Sequence, residues 1–192
     1  MKSYFRIAAI AAVTAVSLQL TGCANLKMSP PQAALENTAK LRTANLAPAS
    51  VGSFTVDAAK GVNDTSMGIR GGNSIEAPGG SFAKHLGETL KAELQTAGLL
   101  DAASANVITG TLTASVLNAS IGTADGKLAA RFVVTRAGAV KYDRELSADS
   151  TWESSFIGGV AIPLAANNYE GLYRKLITKL LDDADFRKAL AK

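Results

Sequence analysis

The chain of 192 residues has very few of the side chains that most metal centres and many catalytic sites require. It contains one cysteine, Cys23, and one histidine, His85. A single cysteine excludes an intramolecular disulfide and a thiolate metal site, and a single histidine excludes the common multi-histidine zinc sites. We therefore expect a domain that is stabilised by its own apolar core and that holds no metal and no cofactor.

The sequence also lacks a strong excess of charge of either sign. It has 20 lysines and arginines against 16 aspartates and glutamates, a net charge of +4 and a pI near 9.2. Lys2 and Arg6 lie in the first 22 residues, so the remaining 170 residues carry 18 positive against 16 negative side chains. A nucleic-acid-binding protein would be expected to have a clustered basic face. We therefore expect no nucleic-acid partner.

The apolar run near the N-terminus is too short to span a membrane. Residues 7–20 (IAAIAAVTAVSLQL) form an uncharged stretch of about 14 residues after Lys2 and Arg6, whereas a transmembrane helix needs about 20. A short positive segment followed by such a stretch is typical of a secretory signal peptide. The next residues are Leu20-Thr21-Gly22-Cys23, at the position where an ordinary signal peptide has a small-x-small cleavage site.

The segment Leu20 to Cys23 resembles the bacterial lipoprotein signal, in which leucine and small residues precede an obligatory cysteine. The resemblance implies cleavage between Gly22 and Cys23, transfer of a diacylglyceryl group to the Cys23 thiol and acylation of the new amino terminus. Anchoring by several acyl chains, such as palmitate, is effectively permanent. Because Ala24 rather than aspartate follows, resemblance to enterobacterial lipoproteins favours the outer membrane over the inner membrane. The alternative is an uncleaved signal anchor with an ordinary free or buried cysteine.

Hydrophobic periodicity predicts the elements of the remaining chain. The stretch from Ser81 to Gly98 has an apolar stripe at helical spacing between a serine cap and a C-terminal glycine, which predicts a helix at 82–97 with Glu93 facing water. The stretch 141–155 alternates polar and mainly apolar positions, which predicts a strand with one face exposed to solvent and the other on the core. The other predicted elements are a helix from Ser29 to Ala44, strands at 51–57, 67–70, 74–77, 106–120 and 127–136 with a hairpin turn at 123–126, a helix at 168–181 and a helical turn at 185–190.

These elements predict an α+β fold. We expect a two-layer sandwich in which a mainly antiparallel sheet, a meander of three long strands plus an N-terminal strand, carries two amphipathic helices on one face. The first strand, at 51–57, should join the meander through the helix at 82–97. The predicted organisation is a lipoprotein signal peptide at 1–22, a tether with a short helix at 23–50 and a single α+β domain at 51–192.

Motifs for catalysis are scarce. Ser81 and His85 lie one helical turn apart, which permits a serine–histidine pair, but no G-x-S-x-G elbow accompanies them. Neither of the phosphate-binding patterns G-x-x-x-x-G-K-[ST] and G-x-G-x-x-G occurs. We expect His85 to be a solvated helix residue and the protein to be no enzyme, with no catalytic residues.

The stretch from Phe156 to Ala166 is uncharged. One interpretation is a buried loop between sheet and helix whose glycines permit tight turns. The other is an exposed docking surface for a partner or a lipid, because contiguous exposed apolar patches mark interaction sites. Under the second interpretation the contact residues are Phe156, Ile157, Val160 and Ile162.

Several segments together resemble a group of small uncharacterised proteobacterial lipoproteins. They are LTGC, SFAKHLGETLKAELQTAGLL, ARFVVTRAGAVKYDRELS and TWESSFIGGVAIPLAANNYEGLYRKLITKLL. Their organisation is similar to YajG-type lipoproteins and to auxiliary lipoproteins of ABC transport systems, and the resemblance covers most of residues 50–190. It implies an α+β envelope domain with a non-enzymatic accessory role. Some relatives carry the label UDP-N-acetylglucosamine acyltransferase, but the hexapeptide repeats of those enzymes do not occur here.

The sequence therefore leaves three hypotheses about function. The first is a periplasm-facing lipoprotein, attached to the membrane through acylated Cys23, that acts as a binding or assembly accessory of an envelope protein complex, such as a transport complex. The second is a carrier that holds a lipid or another hydrophobic ligand between helices and sheet. The third and least favoured is an envelope hydrolase or acyltransferase around Ser81 and His85.

Overall fold

The structure is a computed structural model that describes residues 25–192. The predicted signal peptide, its cleavage site after Gly22 and the lipidation site Cys23 lie outside the described residues. In chain order the elements are β1 (Asn25–Lys27), α1 (Leu35–Thr43), β2 (Ser50–Val56), β3 (Ser66–Gly68), β4 (Ser74–Glu76), α2 (Phe82–Ala97), β5 (Asn106–Asn118), β6 (Gly122–Arg136), β7 (Ala139–Ser154), α3 (Gly158–Asp182) and α4 (Ala184–Ala189).

The larger sheet has four strands in the order β2-β5-β6-β7. Strands β5, β6 and β7 form the predicted antiparallel meander, and β2 pairs with β5 in parallel. Neighbouring parallel strands need a crossover connection, and α2 lies in the connection between β2 and β5. The first strand therefore joins the meander through this helix, as predicted.

Helices α2 and α3 pack on one face of the larger sheet, which confirms the predicted α+β sandwich. The alternate residues of β6 from Leu128 to Val134 face the helices and are buried, whereas Lys127 and Arg131 point to the opposite face and are exposed. On that opposite face Arg131 pairs with Asp143 of β7. The layer between sheet and helices is filled by side chains that are almost fully buried, among them Phe82, Leu86, Leu90, Leu94, Ile108, Leu112, Leu128, Phe132, Tyr169 and Tyr173.

A second, smaller sheet contains the beginning of the described chain. Its order is β1-β4-β3, with β1 parallel to β4 and β3 antiparallel to it. Asn25 is paired with Ser74, and the Ser74 hydroxyl and the Asn25 side chain are joined at 2.7 Å. Ile75 at the centre of the sheet is fully buried. The strands β3 and β4 correspond to the predicted short strands, and β1 was not predicted.

Residues 25–50 contact the rest of the chain along their length. Met28, Leu41 and Leu46 are buried in the core. Helix α1 begins at Leu35, six residues later than the predicted start at Ser29. Pro31 disfavours helical geometry at the residue before it, Pro30, and residues 28–34 form no regular secondary structure.

The prediction that Glu93 faces water is wrong. Its side chain is 0% exposed because α1 covers this side of α2. One carboxylate oxygen accepts hydrogen bonds from the backbone N–H of Ala34 at 3.0 Å and from the side-chain amide of Asn37 at 2.9 Å. Asn37 in turn accepts a hydrogen bond from Thr178 of α3. Glu93 therefore belongs to a polar contact that joins three helices.

The predicted hairpin turn at 123–126 is also wrong, because these residues lie inside β6. The chain reverses just before Gly122, which has a φ of 88° and supplies the left-handed conformation expected of a turn glycine. Gly126 faces α3 instead, where a Cβ atom would lie 3.1 Å from the Leu172 Cδ1 atom. Its lack of a side chain permits close packing of helix on sheet.

Helix α3 begins ten residues earlier than predicted, at Gly158 rather than Asn168. It contains Pro163 in its second turn, where the missing N–H removes one hydrogen bond to the preceding turn. The stretch from Phe156 to Ala166 is therefore mostly helical, and the interpretation of it as a buried loop is wrong. Ala161 and Ala165 face the core, whereas Phe156, Ile157 and Val160 are exposed.

Candidate functional site

Ser81 and His85 do not form a catalytic pair. The Ser81 hydroxyl caps α2 by accepting a hydrogen bond from the backbone N–H of Lys84 at 3.0 Å. The imidazole of His85 packs edge-on against the ring of Tyr173, with centroids 4.9 Å apart. Within the described part of the chain, no hydrogen bond joins the Ser81 and His85 side chains. A nucleophile and its base must lie within hydrogen-bond reach, and these two groups contact other residues instead.

His85 is buried rather than solvated, which corrects the expectation from the sequence. Only 6% of its surface is exposed, and its Nδ1 atom is buried without a hydrogen-bond partner. Burial lowers the pKa of His85 to about 4, because an imidazolium would lose its hydration there. The ring borders a small cleft that also includes Glu170 and Arg174 of α3. His85 is therefore a neutral packing residue at neutral pH.

Metal-ligating groups are not gathered at one place in the described chain. Among residues 25–192, no group of three or more histidine, cysteine, aspartate or glutamate side chains is placed to hold a metal ion.

Exposed apolar side chains are concentrated at one end of the molecule. We call this group the apolar patch, and it consists of Ile121, Phe156, Ile157, Val160 and Leu164. Three of the four contact residues predicted from the sequence belong to it. The fourth, Ile162, is half-buried and packs against the core. Ile121 and Leu164 were not predicted. Ile121 lies in a turn, and Leu164 lies in a stretch without charged residues that would distinguish the exposed face of the helix from the buried one.

Arg70 connects this end of the larger sheet to the smaller sheet. It lies in a helical turn, Arg70–Gly72, between β3 and β4, and its guanidinium donates to the backbone carbonyls of Ser155 and Phe156 at 2.9 and 3.3 Å. No local pattern predicts this contact, because the residues lie far apart in the chain. Arg70 therefore fixes the chain just before α3 and with it the exposed Phe156.

The opposite end of the molecule is charged. A cleft of about 510 Å³, which we call the charged cleft, opens between β7 and the C-terminal helix. Its lining residues are Arg136, Lys141, Tyr142, Asp143, Arg144, Asp185, Lys188 and Ala189. Strand β7 runs from this end to the apolar patch, and its 16 residues at about 3.3 Å each span roughly 50 Å.

Asp183 organises the charged end. Its carboxylate caps α4 by accepting hydrogen bonds from the backbone N–H groups of Asp185 and Phe186, and it also bonds Tyr142 and Arg144. Burial alone would raise the pKa of Asp183, but these donors and the Arg144 charge together lower it below its ordinary value. Burial and the neighbouring Asp183 carboxylate raise the pKa of Tyr142. The end is therefore held by a connected polar network.

Within residues 25–192, no helix has the combination of length and apolar character that crossing a bilayer requires.

Comparison with known proteins supports the fold. No family model matches the chain, and no curated protein sequence matches it. Among solved structures, the protein XCC0632 from Xanthomonas campestris, of the DUF330 family, aligns with a TM-score of 0.54 at 10% sequence identity, over 83% of this chain and 93% of that one. The two structures share the α+β sandwich defined above.

Two further solved structures align less closely. One is a candidate lipoprotein from Caulobacter crescentus, with a TM-score of 0.43 at 15% identity, over 81% of this chain and 96% of that one. The other is a minor lipoprotein from Acinetobacter baumannii, with a TM-score of 0.44 at 11% identity, over 73% of this chain and 94% of that one.

Proposed function

We propose that this protein is an envelope lipoprotein that is acylated at Cys23 and acts as a non-enzymatic binding or assembly accessory. The observation that carries the proposal is the position of the lipoprotein-type signal. Leu20-Thr21-Gly22-Cys23 ends two residues before Asn25, the first residue of β1 and of the described chain. Cleavage before Cys23 would remove the apolar N-terminal segment and leave the domain with an acylated first residue.

The finer features of this proposal come from the sequence. They are an outer-membrane location facing the periplasm, a relation to the YajG-type and ABC-transport auxiliary lipoproteins, and service to an envelope transport complex. The charged cleft is the surface that we propose for the partner protein, since it lies at the end of the molecule opposite β1. Charged groups of both signs there suit a partner with complementary charges.

The packing of the domain favours an accessory over a carrier. A carrier of an acyl chain would need space between helices and sheet, and the large side chains of Phe82, Phe132 and Tyr169 occupy that layer and are fully buried. Native mass spectrometry of the full protein would detect a co-purified hydrophobic ligand and so support the carrier. The enzyme hypothesis predicts a changed phenotype for His85→Ala, and an unchanged phenotype would count against it.

Metabolic labelling with a palmitate analogue tests the anchor. The wild-type protein should incorporate the label and remain with the membrane fraction, whereas Cys23→Ala should incorporate none. An inhibitor of the lipoprotein signal peptidase should cause a longer, unprocessed form of the wild-type protein to accumulate. Equal labelling of wild type and Cys23→Ala would contradict the proposal.

Photo-crosslinking in the envelope tests the accessory role. A crosslinker at Lys188 in the charged cleft should capture a defined envelope protein. The matched control is Lys127, which is also exposed but lies on the wet face of the sheet away from this end. Capture of the same protein from both positions, or from neither, would count against the charged cleft as the partner surface.

A further inference from the structure

The residues of the apolar patch come from two segments, the turn before β6 and the start of α3, which meet at one end of the larger sheet. Phe156 and Ile157 precede α3, and Val160 and Leu164 follow at the three- and four-residue spacing that places side chains on one side of a helix. Ala161 and Ala165, each the next residue along the chain and so about 100° further around the helix, are buried against the core. The exposed residues therefore point away from the domain together.

Ile121 extends this face across the sheet. Its neighbour Gly122 pairs with Ser154 at the end of β7, so Ile121 lies beside the chain that leads into Phe156. Ile121 also borders the same cleft as Arg70, whose guanidinium holds the Phe156 carbonyl. Between Phe156 and Ala166 the chain carries no charge. The two segments that supply the exposed side chains, residues 118–123 and 156–166, thus carry no charged residue of their own.

The described chain begins at this same end. Because β1 runs parallel to β4 and Asn25 pairs with Ser74, the chain enters β1 beside the turn Arg70–Gly72 that precedes Ser74. Arg70 in that turn contacts Ser155 and Phe156. Cys23 precedes Asn25 by two residues, and consecutive Cα atoms are 3.8 Å apart, so the chain holds its Cα atom within about 8 Å of that of Asn25.

We infer that the apolar patch contacts the surface of the bilayer that holds the Cys23 anchor. The inference rests on the proposed lipid anchoring and adds an orientation to it. A domain attached by so short a connection cannot move far from the membrane. The end of the domain nearest Cys23 therefore has a high effective concentration at the membrane surface. Apolar side chains at such an interface insert at the boundary of headgroups and acyl chains. The charged cleft then projects away from the membrane by the length of β7.

A single-cysteine fluorescence experiment tests this orientation. Acylation consumes the Cys23 thiol, so a cysteine introduced elsewhere is the only reactive thiol of the processed protein. Val160→Cys and Val140→Cys form a matched pair, since both are exposed valines, at 55% and 60%, on opposite ends of the molecule. The full acylated protein, labelled with an environment-sensitive dye, is reconstituted in phosphatidylethanolamine–phosphatidylglycerol vesicles with and without spin-labelled lipids.

The inference predicts different quenching at the two positions. Spin-labelled lipid should quench the dye at residue 160 by roughly two-fold and leave the dye at residue 140 nearly unchanged, because membrane contact reaches only about 5–10 Å into the interface. Leu164→Cys is a second reporter from the same patch and should behave like residue 160.

The other outcomes separate the inference from the proposed function. Vesicle flotation of the protein with no quenching at residues 160 and 164 overturns the membrane contact and leaves the lipid anchor intact. A dye at residue 160 that is shielded from water but not quenched assigns the patch to contact with a second copy of the chain, which also overturns the inference. Failure of the processed protein to float with vesicles overturns the anchor itself.

Discussion

The two ends of this molecule are built from opposite kinds of side chain. At one end, Phe156, Ile157 and Val160 are exposed and uncharged, close to where the described chain begins. At the other end, Arg144 pairs with Asp183 at 2.9 Å and with Asp185 at 2.6 Å. The exposed apolar side chains add little to the free energy of unfolding, because they are not buried in the folded state. The charged network, in contrast, holds α4 onto the sheet. The apolar end is therefore a surface available for contact, whereas the charged end contains a network that supports the fold.

The largest expected effect on stability is at the charged end. Asp183→Ala should lower the free energy of unfolding by roughly 2–3 kcal/mol, because it removes a helix cap and leaves the hydrogen bonds of Tyr142 and Arg144 without their acceptor. Urea denaturation at neutral pH measures the loss. Asp185→Ala is the control, because that side chain is 61% exposed and its loss should cost less than about 1 kcal/mol.

The contribution of Asp183 should also depend on pH. The folded state lowers the pKa of this carboxyl, so its stabilisation is fully present above the unfolded value near 3.8 and is lost as the pH falls through the lower folded value. The difference between wild type and Asp183→Asn should therefore shrink below a pH of about 3.8. A difference that stays constant down to pH 2 would show that the charge of Asp183 does not contribute.

A smaller effect is expected in the layer between the two ends, at His85. Its pKa is about 4 in the folded protein and near 6.5 when unfolded, so the unfolded chain binds a proton first. Stability should fall as the pH drops from about 6.5 to 4, and the part of the fall between pH 6.5 and 5 should be about 2 kcal/mol, at about 1.4 kcal/mol per pH unit. His85→Gln should lack this part of the pH dependence. If the free energy of unfolding fell equally with pH in the wild type and in His85→Gln across this range, His85 would not be the source of the pH dependence.

The smallest effect on stability is expected at the apolar patch. Val160→Asp and its control Val140→Asp should each change the free energy of unfolding by less than about 0.5 kcal/mol, because both side chains are exposed. Thermal unfolding of the detergent-solubilised proteins checks this. A large loss for Val160→Asp alone would mean that the patch supports the fold, and the contrast between the two ends would disappear.

Local signals predicted some elements with accurate boundaries. Helix α2 has the predicted bounds because a serine cap, an apolar stripe and a C-terminal glycine all agree. The meander and the wet face of β7 follow from alternation along each strand. Arg144 departs from this alternation, because it lies on the mainly apolar side of β7 yet is half-exposed and lies over the Tyr142 ring at 6.0 Å.

Other features depend on contacts that no local pattern encodes. The start of α3 was missed because Val160, Ala161 and Leu164 are all apolar, so the sequence shows no polar contrast between the two faces of the helix. Burial of Glu93 and His85 follows from α1 and α3 packing over α2, which a single helix cannot reveal. For the candidate site, the sequence indicated Phe156, Ile157 and Val160, but their closeness to the start of β1 required the parallel pairing with β4 and the contacts of Arg70.

The most direct test of the lipid anchor is the intact mass of the protein purified from membranes. The purified chain should begin at Cys23 and carry a diacylglyceryl group and an amide-linked acyl chain on that residue. Cys23→Ala should give no such species. A wild-type chain that retains residues 1–22 and an unmodified Cys23 thiol would contradict the lipid anchor, and with it the assignment of the apolar end to the membrane.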